Sequence, residues 1–533
     1  MTDPTPAPAP TGSGGKPSPG GRQIGAAALL LSGSIVLSLL LGFIRESVLA
    51  FQVGAGAATD AYKAAFQIPD LINYLLAGGA LSIAFIPLYA RRLERDPAGA
   101  ERLLGLILGT TGVAVVALTA ILWWQTPRLI DWAFGGFDAE TRSLTARLTR
   151  IVLPAQIFVV TGGVVRAALM ARGSFRAQAM APLVYNAGII LGGVILGPRI
   201  GVEGFSWGCL AGAITGLLLL PLWDARRQGV RFQLRVGFVD SDFLRYAALA
   251  APLTLGVTLL TVDEWYDRLV GNHLAEGTIA LLFYARVLMQ VPIRVVGQAV
   301  ATAAMPTFSR LHASGDVAGL NRLVEDTLRV ALGVALLSAT ALAVVAEPVV
   351  RVLYERGAFD PEDTARVTGI LRIMLFAVPA WVLQQIAVRA FYAREQMWSP
   401  MLLGTAVAAL AIPLYVMLGR TSGAEGLAAA GALAIWVNAL STLVLGRVLH
   451  GGPSFAPLLG SVARGGAVAA VAGFAAVLLP ARGEGLAGAL AELALAGAVF
   501  AALAGAGIFV LGDAPLRAAA WRILRRLWPG AAP

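Results

Sequence analysis

The chain has 533 residues, of which 57% are hydrophobic and 14% charged, and its mean hydropathy is +0.75. Soluble domains run at about 45–50% apolar and about 25% charged, so this composition excludes one and points to an all-α integral membrane protein. A single cysteine (Cys209) and three scattered histidines (His273, His312, His450) argue against a disulfide scaffold or a metal centre, and the net charge of +10 lies in short gaps between apolar runs, where it reports membrane topology and not a nucleic-acid partner.

Residues 1–22, rich in Pro, Gly, Ser and Thr, read as a disordered tail. The apolar run Ile24–Phe43 is too long for the core of a signal peptide and is followed by Arg45-Glu46, not by a small-residue cleavage site, so it is predicted to be a retained first span. Segments of roughly 20 apolar residues then recur, giving about fourteen predicted spans: 24–48, 58–90, 102–124, 143–171, 177–198, 202–223, 245–271, 277–308, 322–346, 363–393, 398–419, 424–447, 461–480 and 485–511. Prolines and glycines inside the second, fourth, eighth and tenth (Pro69, Gly78, Pro154, Pro292, Gly297, Pro379) predict kinks or tilts. Arginines crowd alternate loops, among them Arg91, Arg92, Arg95 and Arg102, then Arg226, Arg227, Arg231 and Arg235, then Arg517, Arg522, Arg525 and Arg526. Both termini are therefore expected on the cytoplasmic side. The tail Leu516–Trp528 reads as a short basic amphipathic helix on the inner surface, or equally as a solvated terminal helix.

The chain repeats itself at an offset of about 219 residues. Thr59, Gly78, Ala80, Ala84, Pro87 and Arg91 match Thr278, Gly297, Ala299, Ala303, Pro306 and Arg310; further on, Val165–Arg172 matches Val388–Arg394. Six predicted spans separate the copies, so both halves are expected to face the same way, as in transporters whose substrate site lies between two rocking lobes. The predicted organisation is a tail (1–22), an N-lobe of spans 1–6 (23–236), a pseudo-symmetric C-lobe of spans 7–12 (237–452), two further spans (453–513) and a basic cytoplasmic tail (514–533).

Ionisable side chains at bilayer depth need a partner or an aqueous cavity. They fall in the paired elements of the repeat: Arg45 and Glu46 in the first span, Asp60, Lys63 and Asp70 in the second, Asp263, Glu264, Asp267 and Arg268 in the seventh, Arg286 and Arg294 in the eighth. Interlobe salt bridges and snorkelling arginines are one reading of this set. A central cavity lined by arginine is the other, and it implies an anionic substrate, because guanidinium matches phosphate or carboxylate bidentately.

The run Leu41–Ile72 (LGFIRESVLAFQVGAGAATDAYKAAFQIPDLI), the segment Phe283–Leu311 (FYARVLMQVPIRVVGQAVATAAMPTFSRL), and "LYERGAFDPEDT" followed by "RAFYAREQMWSP" resemble the MurJ (MviN) lipid II flippases of the MOP exporter superfamily, from about Ile24 to the end of the chain. The resemblance implies fourteen spans, alternating access between two lobes, and arginines that hold the pyrophosphate of a lipid-linked peptidoglycan precursor in the bacterial cytoplasmic membrane. It also implies that the last two spans form a groove for the polyprenyl tail. Carried over by position, the GF-x-R motif gives Arg45, its acidic neighbour Glu46, the A-T-D motif Asp60, and the V-D-R motif Asp267 and Arg268. Asp267, with Asp263 and Glu264, is the expected Na⁺ or H⁺ coupling site of a monomeric transporter with no other cofactor. Three family arginines are missing, at Leu39, Asn73 and Val287. The expected anion site is therefore Arg45 with Arg286 and Arg294, and Asp60, Glu46, Arg268 and Asn73 complete the substrate-binding set. Rival readings are a flippase for another polyprenyl-linked saccharide, another MOP-type exporter, and a transferase acting on polyprenyl phosphates. The last needs converging acid–base or metal-binding groups; the short loops hold no paired carboxylates or histidine cluster for it, so no enzyme is expected.

Overall fold

Aspartates and prolines start several of the helices. Asp96, Asp138, Asp316 and Asp360 each accept a hydrogen bond from a backbone N–H three residues on (Gly99, Thr141, Gly319 and Asp363, at 2.6–2.8 Å), and Pro97 and Pro361 take first-turn positions where a missing N–H costs nothing. The N–H of Thr141 holds the Asp138 carboxyl below its usual range. The computed structural model describes residues 19–77, 80–254, 259–479 and 485–527, and among these every regular element is a helix. The expected tail up to residue 18, the kink at Gly78, the loop bearing Arg482 and Glu484, and Trp528 lie outside the described residues.

The N-terminal half comprises α1 (Pro19–Val53), which begins inside the expected tail, α2 (Ala57–Ala65), α3 (Gln67–Ala77), α4 (Ala80–Arg95), α5 (Pro97–Ala133), α6 (Ala139–Val152), α7 (Ala155–Ala171), α8 (Arg176–Ile200), α9 (Glu203–Gly212) and α10 (Leu220–Arg227). A turn of π-helix, Ala213–Leu219, joins α9 to α10. Pro221 has no N–H to give the carbonyl of Leu217; the half-buried Arg166 donates to that carbonyl instead at 3.1 Å. Helices α8 and α9 meet through Gly188 and Gly192 on one side and Gly204, Gly208 and Gly212 on the other, so close that a Cβ at Gly192 would lie 2.5 Å from the Gly204 carbonyl oxygen.

The second half comprises α11 (Ser241–Thr254), α12 (Leu259–Gly271), α13 (Thr278–Pro292), a π-turn over Ile293–Gln298, α14 (Ala299–Ala313), α15 (Val317–Val344), α16 (Ala346–Leu353), α17 (Pro361–Leu375), α18 (Val378–Ala393) and α19 (Trp398–His450). Helix α19 is broken at Gly423 (φ +58°, ψ −136°), whose backbone matches that of Gly201 (φ +61°, ψ −141°) between α8 and α9. The break in α19 is thus the second-half copy of the α8–α9 turn. Helices α20 (Phe455–Val477) and α21 (Gly485–Leu511) pack on α15 and α16, and α22 (Ala514–Leu527) ends the described chain.

Helices α1–α10 pack chiefly with one another, as do α12–α19, which gives two lobes. Helix α11, expected to open the C-lobe, instead packs on α3, α4 and α5 of the N-lobe. Among the described residues, ten helical stretches are long and apolar enough to cross a membrane, or eleven when the bent pair α17–α18 is one span. The expected fourteen exceed this because the second is interrupted at Phe66 between α2 and α3, the second and seventh include residues outside the described ones (78–79 and 255–258), and α19 carries the eleventh and twelfth in a single run. Exposed Leu, Ile, Val and Trp side chains along α1, α5, α8, α19, α20 and α21 form the outer face, as a lipid-facing surface requires. The chain is an all-α integral membrane protein.

Candidate substrate cavity between the lobes

Helix α12 carries four charged side chains in the pattern Asp263, Glu264, Asp267, Arg268. At 100° per residue, Asp263 and Asp267 share one face and Glu264 and Arg268 the next. The two faces look in different directions. Asp263 and Asp267 point into the C-lobe, where both accept short hydrogen bonds from Arg286 of α13, and Tyr415 of α19 donates to Asp263. All three charged side chains of this knot are at most 8% exposed. Glu264 accepts from Gln290 of α13 at 3.4 Å, while Arg268 turns toward the N-lobe.

There Arg268 borders a cavity of about 220 Å³ lined from both lobes: Arg45, Glu46, Tyr62, Lys63, Phe66, Asp70, Tyr185 and Ile189 from the N-lobe, Arg268 and Phe283 from the C-lobe. Glu46, 1% exposed, is held by two cations, Arg45 at 2.6 Å and Lys63 at 2.7 Å. Arg45 also donates to Asn186 at 3.0 Å. The Lys63 ammonium sits 3.5 Å from the centroid of the Phe283 ring, a cation–π contact across the lobe boundary. Arg268 reaches across the same boundary to Asp70 at 2.8 Å and Gln67 at 3.3 Å, with Glu264 at 3.9 Å on its own helix. The arrangement offers three cations, Arg45, Lys63 and Arg268, around one polar space.

One end of the lobe boundary is sealed at the level of the backbone. Asp60 of α2 accepts from Gly277 N and Ala280 N, both at 2.7 Å, and so caps α13 from the opposite lobe; Glu276 accepts from Ala57 N at 3.1 Å and caps α2 in return. Gly136 N donates to Asn272 at 3.0 Å, and Ala358 N donates to the Phe51 carbonyl at 2.9 Å. Gly277 has φ +82°, and a Cβ there would lie 2.2 Å from the Ala55 carbonyl oxygen, so glycine alone satisfies both the turn and the approach. Helices α2 and α13 both start at this end. The two copies of the repeat therefore run the same way, as the 219-residue offset requires.

The expected site set is thus divided. Arg45, Glu46 and Arg268 line the cavity; Glu264 does not line it but sits 3.9 Å from Arg268 on α12; Asp60 belongs to the seal. Asn73 is exposed on α3 and does not line the cavity. The expected triad of Arg45, Arg286 and Arg294 is not assembled: Arg286 is engaged by Asp263 and Asp267, and Arg294 is exposed and donates to Gln290 on its own helix at 2.6 Å. Nor do Asp267 and Arg268 pair with each other: Asp267 is engaged by Arg286, and Arg268 by Asp70 and Glu264. Lys63 and Asp70, absent from the expected set, are central; the sequence signal was their position inside an apolar span, together with the rarity of lysine, which occurs only at Lys16 and Lys63.

The family model for lipid II flippase MurJ matches residues 49–491. The chain belongs to the MurJ family. The curated "Probable lipid II flippase MurJ" of Rhizobium tropici is 30% identical over 431 residues, which cover 78% of this chain and 79% of that protein. Among solved structures, a lipid II flippase MurJ in an inward closed conformation superposes with a TM-score of 0.76 at 21% identity, over 91% of this chain and 100% of the other. An inward-facing multidrug-resistance MATE transporter of the MOP superfamily superposes with a TM-score of 0.64 at 16% identity, over 80% and 98%. The MurJ-like and MATE-like folds thus share the two-lobed architecture described here, and this member of the MurJ family is a multi-pass protein of the bacterial inner membrane.

Proposed function

We propose that this chain is a lipid II flippase that moves a polyprenyl-pyrophosphate-linked peptidoglycan precursor across the cytoplasmic membrane by alternating access. The observation that carries the reading is the interlobe cavity with Arg45, Lys63 and Arg268 around it, in a chain of this family. Guanidinium groups take pyrophosphate oxygens in bidentate fashion and an ammonium adds a point charge. Lys63 offsets the arginines missing at Leu39, Asn73 and Val287. With the arginine-rich loops inside and both termini cytoplasmic, the sealed end faces outward, and the cavity takes its substrate from the cytoplasmic side. Rocking of the lobes then breaks the reciprocal caps of α2 and α13 and opens the outer end. The protein works as a monomer, since cavity and seal are complete within one chain.

Coupling to Na⁺ or H⁺ belongs to the buried knot. Asp263 and Asp267 set two carboxyl groups against the single guanidinium of Arg286, and Asp267 Oδ1 is buried with no hydrogen-bond partner. A proton or Na⁺ at that oxygen would neutralise the cluster. Asp267→Asn is expected to impair cycling without unfolding the protein; transport at the wild-type rate across pH and Na⁺ concentration would remove Asp267 from the mechanism.

The deciding experiment is flipping of fluorescent lipid II in proteoliposomes, paired with rescue of cells depleted of their own lipid II flippase. Transport and rescue are expected. Transport of a different polyprenyl-linked saccharide with no lipid II movement would assign another cargo to the same fold.

A further inference from the structure

Arg268 and Asp70 face each other from opposite lobes across the cavity, 2.8 Å apart. The two partners differ in freedom. The Arg268 side chain is 8% exposed and is held by Gln67 and by Glu264 of its own helix, whereas the Asp70 carboxylate is 40% exposed on α3. One partner is fixed and the other can leave. Glu46 presents the opposite case: its carboxylate is 2% exposed and shared by two cations, so it cannot withdraw without leaving both unpaired in a buried place.

We propose that Asp70 is a built-in competitor of the substrate headgroup: its carboxylate occupies Arg268 in the empty transporter and is displaced by the incoming anion. The proposal rests on the reading of the cavity as a pyrophosphate-headgroup site. A monodentate carboxylate of one charge is a weaker partner for guanidinium than a pyrophosphate, which offers several oxygens and about two charges. A ligand with a single weak acceptor gains too little to displace Asp70. Exchange therefore selects for multiply charged phosphate esters against singly charged lipids of the surrounding bilayer. It also joins occupancy to lobe geometry, because the Asp70–Arg268 bond spans the lobe boundary and is released when the headgroup binds. The apparent affinity of a site blocked by its own residue falls by the fraction of time it is free; a pair closed about nine-tenths of the time lowers it about tenfold.

The test uses full-length protein in detergent and inorganic pyrophosphate as the probe, with binding followed by calorimetry. Asp70→Asn removes the charge and keeps the shape, and is expected to tighten pyrophosphate binding about tenfold. Asp70→Ser, a second neutral variant, should do the same if the Asn protein folds poorly. Arg268→Ala in the Asp70→Asn background should abolish the gain. The charge-reversed pair, Asp70→Arg with Arg268→Asp, restores the bond between the lobes and should show no gain. Binding by folded Asp70→Asn and Asp70→Ser that is equal to or weaker than wild type would overturn the proposal, as would absence of pyrophosphate binding in all proteins, or a gain that persists without Arg268. Wild-type flipping of lipid II, measured separately, isolates the two ideas. A tenfold gain in a protein that moves no lipid II would sink the cargo assignment and leave Asp70 as the competitor.

Discussion

Arg268 and Arg286 stand on neighbouring helices of one lobe, and each meets two carboxylates, yet their surroundings give them different work. Around Arg286 all partners come from the C-lobe, and Asp263 and Asp267 are at most 7% exposed. Around Arg268 one partner, Asp70, comes from the other lobe, and Asp70 and Glu264 are 40% and 38% exposed. The enclosed cluster is bound to the integrity of the lobe, since removing one member strands the others in a low-dielectric interior. The cluster at the boundary can exchange partners because water and substrate reach it. Paired charges in a membrane protein thus divide by which body supplies the partner, not by residue type.

The largest expected effect separates the two clusters directly. Arg286→Ala leaves two buried carboxylates unpaired and should destabilise the protein by about 3–5 kcal/mol, seen as lost yield of monodisperse protein and a lowered Tm. Adding Asp263→Asn and Asp267→Asn should restore folding. If the single variant is as stable as wild type, Arg286 is not held as described. Next come the cavity cations. Arg45→Ala and Lys63→Ala should each slow lipid II flipping by about tenfold or more, given roughly 1.5–3 kcal/mol for a charge-assisted hydrogen bond. Lys63→Ala should also lower the Tm, because Lys63 is 6% exposed and pairs with the buried Glu46 carboxylate, and Glu46→Gln in that background should restore it. Unchanged flipping in either would remove that cation from the site.

A smaller effect is expected at the seal. Asp60→Ala removes the trans cap of α13, worth about 0.5–2 kcal/mol, and should shift the population toward the state open at that end. A cysteine placed at the buried Ala55 should then react several-fold faster with a water-soluble thiol reagent; an unchanged rate would show that the cap does not hold the seal. The smallest effect belongs to Arg294→Ala. Its guanidinium is exposed and bonded within its own helix, so flipping should fall by no more than about threefold, in line with the low worth of exposed polar pairs. A tenfold loss would return Arg294 to the anion site and enlarge the cavity's functional boundary.

Much of this molecule was legible along the chain. Apolar runs of bilayer length, arginine-rich loops and the match of Thr59–Arg91 to Thr278–Arg310 determined a membrane-spanning, two-lobed helical protein, because span length and charge asymmetry are local properties of the sequence. The same patterns placed Arg45 and Glu46 at the heart of a site. Partner choice was not local. Asp267 and Arg268 are adjacent in sequence, but helix geometry sends one into the C-lobe and the other to the boundary; Asp60 caps a helix more than two hundred residues away; and α11 crosses to the lobe opposite the one its position suggested. Which charge meets which depends on helix rotation and on how the lobes come together. The sequence by itself determined that ionisable groups lie at bilayer depth, and the tertiary structure decided which are locked in a core and which face the substrate, because desolvation and accessibility are set by neighbours that only folding brings near.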